Sequence, residues 1–347
     1  MAPGRECGVR MRTTRILAAL ATAVVATTGL AGCSDSTDSD TIRFALDWTP
    51  NTNHTGLYVA LQEGYFADAG LDVEILPYNN TAADTLVDAG NAEFGISTQS
   101  SGVFATSAGA QTVSVLAPLQ HWATGIGVRA DRDDIPSPKA LDGKVYAGFG
   151  ESGEQAGLEK VIQNDGGTGE YETVVLGTSA YEAVYSGTAD FTVSYFAWEG
   201  IEAEHSGTPM KYFDYTDYGF PDAYAITISG NEPWLAAHPD EAEKFVQALQ
   251  RGYQLAADDP DKAAQDLIDA NPGTFTDESL VFESQEMLAA KYMKDSTGEV
   301  GRQSLDKWTA YSKFLYDSGV LADQNGAPLT AEPDWSTYFT NDYLGNR

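Results

Sequence analysis

A nine-residue pattern that occurs twice constrains the fold of this 347-residue chain more than any other feature. Residues 89–97 are matched by residues 186–194 at a constant offset of 97, with four identical pairs: Gly90/Gly187, Ala92/Ala189, Phe94/Phe191 and Ser97/Ser194. Each copy predicts a helix end, a glycine that closes the helix in the left-handed conformation, and a strand that finishes in serine. The repeat therefore predicts two similar α/β halves.

Strand-like and helix-like runs alternate along the chain, and the alternation starts again at Lys144. The first series predicts strands at 42–46, 71–76, 93–97 and 113–117 with helices at 54–66 and 82–89. The second series predicts strands at 145–149, 172–176 and 190–195 with helices at 154–164 and 181–186. Beyond Pro239 only helices are predicted, at 241–257, 260–270, 277–292 and 304–318. This order is typical of parallel sheets with crossover helices, where ligands bind beyond the carboxyl ends of the strands.

The N-terminus has the layout of a secretion signal. Arginines precede a short apolar run at 16–28, and Leu30-Ala31-Gly32-Cys33 follows. The run is too short and too rich in small residues to be a good membrane-spanning helix. A cysteine directly after small residues resembles the bacterial lipobox, which implies cleavage before Cys33 and lipid attachment to it.

We therefore predict a signal peptide at 1–32, a flexible tether at 33–40 and an exported protein anchored by lipid to the outer face of a bacterial cell membrane. The alternative interpretation of Cys33 is a chance cysteine after an ordinary signal. Met11 is an alternative start, because a complete signal follows it.

Composition argues against several kinds of partner and chemistry. The chain has 51 acidic and 20 basic residues and a formal net charge of −31, a surface that repels nucleic acid and anionic lipid headgroups. Its two cysteines, Cys7 and Cys33, leave no pair for an intrachain disulfide after cleavage and no cysteine cluster for a metal. Its four histidines have no metal-site spacing. We expect no cofactor, no metal site and no nucleic-acid partner.

The loop after the first predicted strand holds the densest set of chemically useful side chains. Between Asp47 and His54 lie a carboxylate, an indole, two amides and an imidazole. Proline and asparagine predict a loop at this point, and Asn53 is a plausible cap for the next helix. Trp48 is interpreted either as a core residue or as a stacking platform. His54 is interpreted either as a residue of the helix start or as a ligand contact.

Several segments carry a family resemblance. They are Asp47-Trp48-Thr49-Pro50-Asn51-Thr52-Asn53-His54, Gly64-Tyr65-Phe66, Gly70-Leu71-Asp72-Val73, and residues 137–144, 195–202 and 217–222. Together they resemble the thiamin-pyrimidine-precursor binding proteins, which include receptors for formylaminopyrimidine and hydroxymethylpyrimidine and are related to the fungal synthase of the thiamin pyrimidine. The resemblance covers residues 41–272. The Trp-Thr-Pro-Asn-Thr-Asn-His stretch is specific to that family, whereas Gly-Tyr-Phe is shared with sulfonate and nitrate receptors.

The resemblance implies an α/β, type II periplasmic-binding-protein fold whose two lobes are joined by two crossing hinge strands. We expect the crossings near Gly125–Ala130 and Ala223–Ser229, with lobe one at 41–127 plus 227–347 and lobe two at 128–226. Ligand binding is then expected to close the lobes. The resemblance also implies a monomeric solute-binding lipoprotein of an ABC importer, with permease and ATPase subunits as partners. We expect that the protein is not an enzyme, because the predicted fold region has no cysteine and the four histidines have no metal-site spacing.

A pyrimidine ring needs flat aromatic walls for its faces and directional polar groups for its nitrogens and exocyclic amine. The predicted ligand-binding residues are Asp47, Trp48, Asn51, His54, Thr98, Gln99, Trp122, Phe149, Glu151, Tyr195, Trp198, Glu199 and Tyr224. Asp47, Gln99, Glu151 and Glu199 are the candidates to accept a hydrogen bond from the amine. For Glu151 and Glu199 the alternative interpretation is a favourable charge at a helix N-terminus.

Other functions stay open from the sequence. A riboflavin receptor of the same fold would use the same aromatic walls, and a pyrimidine-synthesising enzyme is disfavoured because the chain lacks a cysteine-rich motif. Sulfonates and nitrate are disfavoured because their pockets need basic or amide-rich surroundings. Residues 148–153 fit the Gly-x-Gly-x-x-Gly pattern of dinucleotide sites, but a lone match in an exported chain is more simply a tight turn.

Overall fold

The computed structural model describes residues 41–150 and 153–345, which form two five-stranded sheets covered by helices. The predicted signal, the tether, Cys33 and Glu151 lie outside the described residues. The strands are β1 (Ile42–Ala45), β2 (Val73–Leu76), β3 (Phe94–Ser97), β4 (Thr112–Leu119), β5 (Thr124–Arg129), β6 (Val145–Gly148), β7 (Glu172–Val175), β8 (Phe191–Tyr195), β9 (Met210–Asp214) and β10 (Ile226–Asn231).

The helices are α1 (Thr55–Gln62), α2 (Tyr65–Asp68), α3 (Ala83–Asp88), α4 (Gln99–Ser107), α5 (Glu154–Asn164), α6 (Ala180–Tyr185), α7 (Ile201–His205), α8 (Glu232–Ala237), α9 (Pro239–Asp258), α10 (Pro260–Ala270), α11 (Glu278–Lys291) and α12 (Leu305–Asp317). The bounds predicted for α5 and α10 agree with the structure. The helix predicted at 54–66 is divided into α1 and α2 because Gly64 between them has a φ of +72°, which ends the first helix.

Each sheet combines parallel and antiparallel strands. In sheet one, ordered β2-β1-β3-β10-β4, β1 is parallel to β2 and β3, whereas β10 is antiparallel to β3 and β4. In sheet two, ordered β7-β6-β8-β5-β9, β6 is parallel to β7 and β8, whereas β5 is antiparallel to β8 and β9. The prediction of parallel sheets is therefore correct for the direction of four strands in each sheet, although only three of these four are hydrogen-bonded to one another in parallel. It is wrong for β5 and β10, because each enters its sheet directly from the other one and so runs in the opposite direction.

The chain crosses between the sheets twice, through residues 120–123 and 215–225. The crossings predicted near Gly125–Ala130 and Ala223–Ser229 overlap β5 and β10, which are paired with strands on both edges. A strand held on both edges belongs to the body of its sheet, so the actual crossings lie just before these two strands. We call sheet one with α1–α4 and α8–α11 half one, and sheet two with α5–α7 half two.

The repeated sequence pattern corresponds to the same structural unit in both halves. Gly90 after α3 and Gly187 after α6 have φ angles of +68° and +78°. The acidic residue before each strand, Glu93 or Asp190, accepts a backbone N–H from the middle strand of the three parallel strands of its own sheet, β1 or β6, at 2.6 Å or 2.8 Å. The prediction of two similar α/β units is confirmed at the level of individual hydrogen bonds.

Helix α12 packs with both halves, because its Trp308 shares one hydrophobic cluster with Val103 of α4 and Leu158 of α5. Its buried Trp308 stacks on Phe339 with the ring centroids 5.6 Å apart, and Tyr311 contacts Phe220 of the second crossing at 5.4 Å. None of the helices in the described part of the chain combines the length and the apolar character that crossing a bilayer requires.

Candidate ligand-binding site

A cavity of about 420 Å³ lies at the carboxyl ends of β1, β3, β6 and β8, so both sheets contribute to its walls. This is the place that the strand-end rule predicts for a ligand. The predicted residues that line it are Asp47, Trp48, Asn51, Thr98, Trp122, Phe149, Tyr195, Trp198 and Glu199. Three others, His54, Gln99 and Tyr224, are not among the lining residues, and Glu151 lies outside the described part.

The loop after β1 is held in shape by its own side chains. Asn51 caps the short 3-10 turn Thr52–His54 by accepting the backbone N–H of Asn53 at 2.9 Å, and it donates to the Thr49 carbonyl at 3.0 Å. The predicted cap, Asn53, is therefore wrong by two residues, because the helix is preceded by a turn that needs its own cap. This bracing places Asp47 and Trp48 at the cavity wall.

His54 is fully buried and acts on the site through Asp47. Its Nδ1 faces the backbone N–H of Asn51 at 3.4 Å, and its Nε2 lies 2.8 Å from Asp47 Oδ1. Because Nδ1 accepts a hydrogen bond from the backbone, the ring N–H is at Nε2, which donates a hydrogen bond to the Asp47 carboxylate. His54 thus orients Asp47 instead of lining the cavity, since the ring lies behind the carboxylate.

Aromatic rings from both halves meet across the cavity. Trp48 contacts Tyr78 of half one with centroids 5.4 Å apart and Phe149 of half two at 6.3 Å, and Phe149 contacts Tyr181 at 5.3 Å. We call these four lining residues the tip aromatics. The loop indole is therefore at the surface of the cavity, where its face is available for stacking.

A second aromatic group belongs to the crossings. Trp122 contacts Phe220 at 4.7 Å, Tyr215 at 5.6 Å and Tyr311 of α12 at 5.8 Å. All four, which we call the crossing aromatics, line the cavity. No site residue predicted from the sequence lies beyond Tyr224, but α12 returns across the crossings and places Tyr311 at the cavity wall.

Gln99 and Tyr224 connect the second crossing to α12. The Gln99 amide accepts the Tyr224 backbone N–H at 3.0 Å and donates to the Trp308 carbonyl at 3.3 Å. The Tyr224 hydroxyl accepts the Ser304 backbone N–H at 2.7 Å. Both side chains are buried and use their polar atoms in these contacts, which explains why they lie behind the wall.

Glu199 is the buried carboxyl group of half two. It is 6% exposed, accepts the backbone N–H of Tyr195 at 3.1 Å and lines the cavity. Burial raises its pKa to about 7, against the opposing effects of backbone N–H groups and the Tyr181 hydroxyl. It lies in a π-helical turn, Phe196–Gly200, directly after β8. A favourable charge at a helix N-terminus accounts for the position of Glu199 in the chain. Such a charge does not need to be buried, so this interpretation does not explain the burial of the carboxyl group.

Asp84 is the corresponding buried carboxyl group of half one, and the sequence did not identify it. It is 8% exposed and accepts a hydrogen bond from the Ser97 hydroxyl at 2.7 Å. Burial raises its pKa to about 6, the Ser97 and Ser229 hydroxyls act in the opposite direction, and the charge of Asp47 adds to the rise. Among the described lining residues are four carboxyl groups, Asp47, Asp84, Glu154 and Glu199, and no Lys, Arg or His.

In the glycine-rich segment between β6 and α5, the negative group is the side chain of Glu154, the first residue of α5. The Glu154 carboxylate accepts the Phe149 backbone N–H at 3.2 Å and the Tyr146 hydroxyl at 3.2 Å. A pyrophosphate in this turn would meet a carboxylate where a dinucleotide site offers free backbone N–H groups. The position of the Glu154 carboxylate therefore argues against a dinucleotide site, and Gly153, which precedes α5, has a φ of +89°.

The sequence profile described as NMT1/THI5 like matches residues 51–263, more than half of the chain. The chain belongs to this family. A family relative from Halalkalibacterium halodurans, named formylaminopyrimidine-binding protein, is 29% identical over 89% of this chain and 94% of its own. Another, from Saccharomyces cerevisiae, is named 4-amino-5-hydroxymethyl-2-methylpyrimidine phosphate synthase THI11 and is 24% identical over 88% of both chains.

Solved structures show the same fold. The alkanesulfonate-binding protein SsuA of Xanthomonas axonopodis pv. citri, determined with bound MOPS, matches with a TM-score of 0.62 and 14% identity, covering 82% of this chain and 95% of that one. The predicted periplasmic-binding-protein fold is confirmed. The family, the fold and the cavity between two sheets together support a solute-binding role.

Some lining residues of this family member could have been found from the sequence, and others could not. Tyr78 and Asn80 follow β2, so the strand-end rule applies to them as well. Asp84 and Tyr181 lie five residues before the two copies of the repeat, at the same offset of 97. No sequence signal marks Tyr311, because its place depends on how α12 packs over both crossings.

Proposed function

We propose that this protein is an extracytoplasmic solute-binding protein that captures an aminopyrimidine precursor of thiamin and delivers it to an ABC importer. The observation that carries the proposal is the pairing of tip aromatics from both halves around a cavity lined by buried carboxyl groups. An aromatic ring suits the walls, and an exocyclic amine or protonated ring nitrogen suits the acids. The name of the Halalkalibacterium relative supports this ligand class.

The charge of the cavity argues against an anionic ligand. Sulfonate or nitrate needs a surrounding that compensates its negative charge, and although the described wall includes three asparagines, it has four carboxyl groups and no basic side chain. The likeness to a sulfonate-binding protein thus extends to the fold alone. Riboflavin is the alternative ligand, because its ring system would use the same aromatic faces.

Export and membrane attachment complete the proposal. The predicted signal at 1–32 and the lipobox cysteine Cys33 would place the protein on the outer face of the membrane, with permease and ATPase subunits as partners. Mass spectrometry of the N-terminal peptide from the membrane fraction tests this step. We expect a diacylated or triacylated Cys33 as the first residue, and we expect Cys33→Ser to be released into the medium or periplasm.

The ligand is tested by tryptophan fluorescence and thermal unfolding of the purified protein with 4-amino-5-hydroxymethyl-2-methylpyrimidine, riboflavin and methanesulfonate. At a hundredfold excess over Kd the true ligand stabilises the fold by about 2.7 kcal/mol. We expect the pyrimidine alone to raise the melting temperature. A response to riboflavin alone would replace the ligand while keeping the class, and a response to methanesulfonate alone would contradict the charge argument.

The fungal relatives named as synthases raise the alternative of an enzyme. We propose binding without turnover. Chromatography of the ligand recovered after prolonged incubation tests this, because a receptor returns it unchanged and an enzyme returns a new compound.

A further inference from the structure

Asp84 has one oxygen that the protein itself leaves without a hydrogen bond. It is the second residue of α3 and lines the cavity on the side of half one. Oδ2 accepts the Ser97 hydroxyl at 2.7 Å, whereas Oδ1 is buried and has no hydrogen-bond partner among the described residues. The nearby Ser229 hydroxyl lowers the pKa of the group but makes no hydrogen bond to Oδ1 in this conformation.

A role in the architecture alone does not account for this arrangement. An acidic residue in the first turn of a helix is favourable when exposed, so the position of Asp84 in α3 needs no burial. A buried carboxylate oxygen without a partner is costly, and such atoms are rare in folded proteins. No described Lys or Arg forms an ion pair with Asp84. A hydrogen-bond donor that arrives with a ligand would supply the missing partner.

The buried carboxyl group across the cavity differs in this respect. Glu199 already accepts the Tyr195 N–H at 3.1 Å and interacts with the Tyr181 hydroxyl. Asp84 thus has the free acceptor, and Asp47 nearby adds negative charge on the same side. A ligand edge that carries a donor or a positive charge complements this side of the cavity, and a carbonyl edge is repelled.

We propose that Asp84 is the specificity-determining residue of this site, and that its Oδ1 accepts a hydrogen bond from the exocyclic amine of the bound ring. This rests on the proposed function and narrows the substrate class to amino-substituted heterocycles over their oxo counterparts. Because Oδ1 is covered in this conformation, the ligand reaches it when the two halves separate and close again around the ring.

The experiment compares two probes that differ at one group, 4-amino-5-hydroxymethyl-2-methylpyrimidine and the analogue in which a 4-oxo group replaces the amine. Affinities are measured by calorimetry for the wild type, for Asp84→Asn, and for the control Asp88→Asn on the exposed side of the same helix. Hydrogen bonds to charged groups imply that the wild type prefers the amino probe by about tenfold or more. We expect Asp84→Asn, whose amide both donates and accepts, to reduce the ratio to about threefold or less, and Asp88→Asn to leave it unchanged.

The outcomes separate this inference from the proposed function. A wild type that binds neither probe contradicts the function itself. A wild type that binds both probes equally, or an Asp84→Asn protein that keeps the full preference, overturns the role of Asp84 and leaves the function standing.

A wild-type measurement gives the same answer if Asp84→Asn does not fold. The carboxyl carbon resonance of Asp84 is followed with pH in the free and bound protein. We expect its pKa to fall when the amino probe binds, because a donated hydrogen bond favours the ionised form. An unchanged or higher pKa in that complex would overturn the proposal.

Discussion

The two halves use the same helix–turn–strand unit but present different side chains to the cavity from equivalent positions. Asp84 and Tyr181 are each the second residue of their helix and are 97 residues apart, the offset of the repeat. Half one offers a buried carboxyl group, whereas half two offers a phenol ring that interacts with Glu199. Positions that hold the unit together keep their residue type because packing restricts them. Positions that face the cavity are free to differ, and their chemistry defines the ligand.

The largest effect is expected at the shared framework position. Phe94 and Phe191 are both fully buried, the first stacked on Phe245 at 4.2 Å and the second packed on Tyr146 at 5.2 Å. Truncating either to alanine should cost about 3–5 kcal/mol of unfolding free energy, since each leaves a cavity in a packed core. Urea denaturation measures both costs, with the milder Phe→Leu changes as controls. A difference between the two sites above about 2 kcal/mol would break the equivalence of the halves.

The next effect concerns the buried acid of half two. The pKa of Glu199 is raised to about 7 from an ordinary value near 4.5, so the folded protein holds more protons than the unfolded chain between these values. The stability that this carboxyl group contributes to the unliganded protein is therefore fully present at low pH, and it is lost as the pH rises through 7. Glu199→Gln should be more stable than the wild type at pH 8, by on the order of 3 kcal/mol, and should lose this advantage near pH 4.

Thermal unfolding across this pH range tests the effect, with the exposed Glu204→Gln of α7 as the control. Equal pH profiles for Glu199→Gln and the wild type would show that the carboxyl group is not held neutral by burial.

A smaller effect distinguishes the tip aromatics of the two halves. Trp48→Ala should weaken binding of the aminopyrimidine by about thirtyfold, which is about 2 kcal/mol, because it removes the larger stacking face. Phe149→Ala on the opposite wall should weaken it about tenfold, and Trp48→Phe should retain most of the affinity. Fluorescence of the remaining tryptophans or calorimetry measures these constants. A greater loss from Phe149→Ala than from Trp48→Ala would place the main stacking surface in half two.

The sequence allowed the framework to be predicted better than the site. The repeat, the strand ends and the Asp47–His54 loop depend on local patterns, and they correctly place Trp48, Phe149 and Glu199 at the cavity. Helix α4 was missed because its serines and glycine have weak helix propensity, and it is stabilised instead by the Thr98 cap and the buried Val103. Strand direction and the return of α12 depend on contacts between distant segments, so β5, β10 and Tyr311 could not be placed from local pattern.

The smallest expected effect tests the contact that joins the halves on their outer side. His205 of α7 lies 2.7 Å from Asp277 Oδ2 and 3.2 Å from Glu283 of α11, so it connects half two to half one. The hydrogen bond to Asp277, with the further contribution of Glu283, raises the pKa of His205 above its ordinary value despite the opposing effect of desolvation. The contact is therefore complete below the ordinary histidine pKa and is lost as pH rises through the higher folded value.

If closure of the halves uses this contact, His205→Asn should weaken ligand binding by about twofold at pH 6 and low salt, with no difference from the wild type at pH 9. His238→Asn, whose ring stacks on Trp234 within half one, is the matched control. An effect of His205→Asn that is equally large at pH 9 would mean that packing, and not the charge of the imidazole, holds the two halves together.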